Sequence, residues 1–130
     1  MFNGYGLVVS ASVSSRVANL IPTVDIIIAD EKQRPAASTI KTALEGQGYR
    51  VKFIRSLGEH GIAPSGAEVR YFRNPEDRLQ ASELNDFLKE RFGVEARVTY
   101  VIDRATHPNE FEIWFSKDDL GESATSSTSS

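Results

Sequence analysis

Cysteine is absent from the sequence, and this one absence removes disulfide staples, thiolate metal sites and cysteine nucleophiles together. Histidine occurs only as His60 and His107, both in stretches that read as loop, with Glu59 the only acidic neighbour of a ligand type. A metal centre needs three or four converging donors, so both read as solvated loop residues, and neither a metal nor a cofactor is expected. Long apolar runs are missing too. Nothing approaches the roughly 18 uninterrupted apolar residues of a membrane span, and the N-terminus lacks the basic start and apolar run of a signal peptide. No membrane insertion by this segment is expected. Nor is positive charge in excess: a net charge of −3 excludes a surface built as a whole to hold polyanions and confines any such site to one face. What remains is the composition of one ordinary soluble domain, with 40% hydrophobic and 25% charged residues over 130 positions.

Residues 1–23 read as an N-terminal lead or linker. Gly4 and Gly6 suggest a flexible start, then Val13, Val17, Leu20 and Ile21 recur at helical spacing, which fits a short packed helix or a linker equally well. The lead has no obvious domain start, as in a module cut from a longer chain. The domain is assigned to residues 24–120. Val24 to Ala29 is β-branched and apolar on both faces, the pattern of a central strand. Pro35 opens a helix whose stripe is Ala36, Ala37, Ile40, Ala43 and Leu44, and Gly46 and Gly48 end it. Tyr49, Val51 and Phe53 then alternate with Arg50 and Lys52 as a half-buried strand.

After a Gly- and Pro-bearing loop the unit repeats. Ala67 to Phe72 alternates, and Asn74 offers an N-cap with Pro75 at the first helical position. Ala81, Leu84, Phe87 and Leu88 form the next helical stripe, Gly93 stops it, and Ala96 to Ile102 alternates as a strand. Phe111, Ile113 and Phe115, alternating with Glu110, Glu112 and Trp114, add a final strand. Residues 121–130 are small and polar and predict a disordered Ser/Thr tail. Two strand-helix-strand units indicate an α+β fold: a split βαβ (βαββαβ) sandwich, two helices on one face of an antiparallel sheet, with an extra C-terminal strand.

The block Glu68-Val69-Arg70-Tyr71-Phe72-Arg73, running into Pro75-Glu76-Asp77 and then Ala81 and Leu84, resembles the second half of the LytR C-terminal domain family. Val24 to Phe53 is similar in outline to the first half, except that Asp30-Glu31-Lys32-Gln33 stands where that family has an Asn-Gly turn. The resemblance spans residues 24–102. It implies a βαββαβ module similar in shape to glycan-binding SPOR domains, appended to a bacterial cell-envelope protein, with no catalytic residues to carry over.

The residues themselves supply little chemistry. Gly58-Glu59-His60-Gly61 lacks the Lys-Ser/Thr of a phosphate loop, and Ser10 to Ser15 has no base beside it. Asp25 interrupts an apolar strand and needs a partner there; a structural ion pair with Arg50 or Arg70 is the reading preferred over general-base work. Strict alternation sends Arg50, Lys52, Arg70, Phe72 and Arg97 to the face away from the helices, a basic face with one aromatic plane. A merely solvated sheet face alternates in the same way. These five are the candidate ligand-binding residues of a non-catalytic accessory binding module, whose partner is cell-wall glycan or another protein. A nucleic-acid-binding domain using the same face ranks behind it, and a small enzyme behind that.

Overall fold

The computed structural model describes residues 21–58, 61–102 and 108–120. The lead up to residue 20, the tail from residue 121, His60 and His107 all lie outside the described residues. The elements run β1 (Thr23–Ile28), a 3-10 turn (Glu31–Gln33), α1 (Arg34–Gly46), β2 (Arg50–Ser56), β3 (Glu68–Tyr71), α2 (Arg78–Phe92), β4 (Arg97–Tyr100) and β5 (Glu110–Trp114). The fold is α+β, with one five-stranded sheet and two α-helices.

Local chemistry accounts for most of these boundaries. Asp30 caps the 3-10 turn by accepting the Lys32 N–H at 2.9 Å, in a reciprocal capping box with Gln33. Pro35 follows in the first turn of α1, whose stripe Ala37, Ile40 and Leu44 is buried. α2 buries Ala81, Leu84 and Leu88 and ends at Gly93, which takes the left-handed φ of 69° that a C-terminal cap requires.

The start of α2 departs from expectation. Asn74 does not cap it; the helix begins at Arg78, with Asp77 at the N-cap position making no side-chain cap bond. The Asp77 carboxylate instead accepts the Asn109 N–H at 3.0 Å, from the segment leading into β5. A tertiary contact has displaced the local cap, and residues 74–77 form a turn ahead of the helix. Asn74→Ala is therefore expected to shift the unfolding free energy by less than about 0.5 kcal/mol, as at an ordinary surface site. Asp77 is buried, and Asp77→Ala is expected to cost about 1–3 kcal/mol, since it orphans a backbone donor. Urea unfolding of the two variants checks the pair; equal losses would restore Asn74 as the cap.

Strand order is β2-β1-β5-β3-β4. The sheet is mixed, where an antiparallel one was expected: β1 is parallel to β2 and β5, β3 is parallel to β4, and only β3 with β5 is antiparallel. The reason is that each βαβ unit crosses to the adjacent position, so its two strands stay side by side and parallel. β5 then joins the halves. βαβ crossovers are right-handed as a rule, and β1 and β3 run in opposite directions toward opposite edges, so two crossovers of one hand lay both helices on the same face. A single cluster results, in which Val24, Ile26, Ile28, Val69, Phe111, Ile113 and Phe115 of the sheet side meet Ile40, Leu44, Leu84 and Leu88 of the helices.

Gln33 ties the two ends of this core together. It is buried, and its Oε1 accepts the Ala29 and Asp30 N–H groups at 2.8 and 3.2 Å. Its Nε2 donates to the Ser116 and Asp119 carbonyls at 2.7 and 2.6 Å, fixing the chain after β5 against the turn after β1.

Candidate functional site

The face away from the helices carries the candidate ligand residues, and β5 changes its character. Because β5 lies between β1 and β3, Glu112 stands in register with both Asp25 and Arg70, and Glu110 with Thr23. An acidic strip thus runs through a face whose sequence pattern predicted cations alone.

On the β3 and β4 side the cations are spent internally. Arg70 pairs with Glu68 at 2.8 Å and lays its guanidinium over the Trp114 ring at 4.0 Å, while Arg97 reaches Glu68 at 3.6 Å. The Trp114 indole N–H donates to Glu112 at 2.8 Å. Phe72, expected to supply the aromatic plane, is only 8% exposed and offers no open face. It does lie on the face away from the helices, as alternation placed it, but just past the end of β3 it is packed among Thr23, Asp25, Lys52 and Glu112 rather than left open.

On the β2 side the cations stand open. Arg50, Lys52 and Arg55 are exposed, and none forms an ion pair with a carboxylate of the described residues. The register slips here: Val24 faces Val51, yet Ile26 faces Ile54, so an extra residue is accommodated opposite Asp25. The bulge turns Phe53 away from the helices, where strict alternation had placed it, and onto the side of Lys52. Its ring is 41% exposed, with the Lys52 ammonium at 6.0 Å and the Arg55 guanidinium at 5.5 Å from its centroid. Phe53 and Arg55 are thus functional candidates that the sequence pattern missed. The signal was present in the consecutive apolar pair Phe53-Ile54, which breaks the period of two.

Asp25 finds neither Arg50 nor Arg70 as an ion-pair partner. Its Oδ1 is buried without a hydrogen bond among the described residues. Burial pushes its carboxyl above the ordinary range; Lys52 and Arg55 oppose the rise, while Glu112 and Glu110 add to it. A carboxyl raised on folding destabilises the fold above its folded pKa and is relieved as pH falls through that value. Asp25→Asn is therefore expected to raise the Tm at neutral pH, with the gain shrinking on acidification through the folded pKa. Paired thermal melts across that range check it, and a lower Tm at neutral pH would show that Asp25 is held by a partner.

Among the described residues no group of three His, Cys, Asp or Glu side chains could hold a metal ion, and no helix is long and apolar enough to cross a membrane. In comparisons with known proteins the chain matches no family model, no curated protein and no solved structure.

Proposed function

We propose that this chain is a non-catalytic binding module that takes an anionic, ring-bearing chain molecule along β2, with cell-wall glycan as the ligand class and a bacterial envelope protein as its setting. The observation that carries this reading is the exposed Phe53 ring flanked by Lys52 and Arg55, with Arg50 on the same strand and no carboxylate pairing any of the three cations among the described residues. Clustered cations repel, and an arriving anion relieves that repulsion. An exposed ring between them gives a sugar or a base a plane to lie on. The likeness of residues 24–102 to the LytR C-terminal domains favours the sugar.

The same chemistry suits single-stranded nucleic acid, so the test carries both ligands. The amide NMR spectrum is followed during titration with peptidoglycan fragments and, separately, with single-stranded RNA. Saturable shifts at Arg50, Lys52, Phe53 and Arg55 with the fragments, which are recovered unchanged, support the proposal. Shifts with RNA alone replace glycan by nucleic acid, and cleavage of the fragments makes the chain an enzyme. Shifts with neither ligand reject the site.

A further inference from the structure

On the opposite side of the sheet, the start of α1, the end of α2 and the chain after β5 enclose a cleft of about 550 Å³. Ile40, Phe92, Val94 and Leu120 give it an apolar wall, and among the described residues the ionisable groups that line it are Glu95 and Asp119. Glu95 is exposed and has no ion pair among the described residues; one oxygen of Asp119 is held by the Ser116 N–H and hydroxyl at 2.8 and 2.7 Å.

Neither of the two helix ends that meet here presents a strong uncompensated dipole. α2 ends at the cleft, where the Gly93 and Val94 N–H groups cap the Lys89 and Leu88 carbonyls and Lys89 and Arg91 stand in its last turn, so its negative end is offset. α1 begins there, but its first donors are consumed: Gln33 N–H bonds the Asp30 carbonyl, Arg34 N–H bonds the Glu31 carbonyl, and Pro35 has none to give. The anion-binding character of a helix start is therefore muted, and the carboxylates of Glu95 and Asp119 in the lining favour a cation.

Size selects the kind of occupant. The α1 wall runs only from Pro35 to Ile40, about 9 Å of helix at 1.5 Å per residue, and α2 adds just its last turn. A protein partner needs roughly 800 Å² of surface on each side, far more than this strip offers. The volume lies inside the roughly 300–1,000 Å³ range of small-molecule sites.

We infer that this cleft is a second binding site, for a small apolar molecule carrying one ammonium group, distinct from the site along β2. The probe is 4-phenylbutylamine, with 4-phenylbutyric acid as its match in shape and opposite in charge, each titrated into the full 130-residue chain by NMR. The amine is expected to give saturable shifts at Thr39, Ile40, Phe92, Glu95 and Leu120, and to bind about tenfold or more tighter than the acid. Glu95→Gln should weaken the amine several-fold and bind the acid no more weakly than the parent does, so that the preference for the amine narrows. Thr39→Trp, a change at an exposed α1 position, should fill the cleft and abolish binding while the β2 resonances stay in place. Equal binding of amine and acid, binding that survives Thr39→Trp, or shifts confined to other surfaces would overturn the inference. So would nuclear Overhauser contacts from residues 1–20 to Thr39 or Phe92 in the free chain, since the lead itself would then fill the cleft.

Discussion

Phe111→Ala is expected to lower the unfolding free energy by about 3–5 kcal/mol, the usual cost of emptying a buried aromatic site. Phe111 is 1% exposed and belongs to the strand that joins the two halves of the sheet, where it faces Val24 on one side and Tyr71 on the other. A cavity at that point removes contacts from both βαβ units together, so one cooperative transition should move as a whole. Denaturant unfolding followed by circular dichroism reads the loss. Phe111→Leu, which keeps most of the volume, should cost less than about 1.5 kcal/mol and keeps the test informative if the alanine variant does not fold. A parent-like midpoint for Phe111→Ala would remove β5 from the core.

Gln33→Ala is expected to cost about 2–4 kcal/mol, although the side chain is polar and no sequence pattern marks it. Four hydrogen bonds go at once: the N–H groups of Ala29 and Asp30 and the carbonyl of Asp119 lose their partner, the Ser116 carbonyl keeps only the Asp119 N–H at 3.2 Å, and each net bond is worth about 0.5–1.5 kcal/mol. Gln33→Glu should be no rescue. It replaces the amide donor by an acceptor facing two carbonyls, so it should destabilise at least as much, most strongly where the carboxyl is ionised. Lys32→Ala, one position away and exposed, is the control and should lie within about 0.5 kcal/mol of the parent. If Gln33→Ala matched that control, the segment after β5 would be held by its apolar contacts alone.

Periodicity made the elements legible and left their arrangement open. The alternation in Val69 to Tyr71 and in Phe111 to Phe115 and the stripes of both helices appear where the residues placed them, because side-chain spacing reports which face is buried. The same spacing is silent on neighbours. Nothing in Glu110 to Trp114 states that this last strand inserts between β1 and β3, yet that placement makes the sheet mixed and brings Glu112 in register with Arg70. The missed cap at Asn74 has a similar cause, since Asp77 answers to Asn109, a partner remote in sequence.

The candidate site was half legible for the same reason. Arg50, Lys52, Arg70 and Arg97 do leave the helix side, as alternation requires, but alternation cannot say that Glu68 takes up two of them. Nor can it carry a reader past a bulge: one slipped residue opposite Asp25 exchanged the face of Phe53 and made it the exposed ring that Phe72 is not.

The most direct test of the outer-face account compares two double variants that remove equal charge, Lys52→Gln with Arg55→Gln and Arg70→Gln with Arg97→Gln, for binding of peptidoglycan fragments. If Phe53 and its flanking cations form the contact, the first pair should weaken binding about tenfold or more, at least about 1.4 kcal/mol, and the second less than about threefold. An equal loss from both pairs, or a larger loss from the Arg70 and Arg97 pair, would contradict the account and return the ligand to the Trp114 side of the sheet.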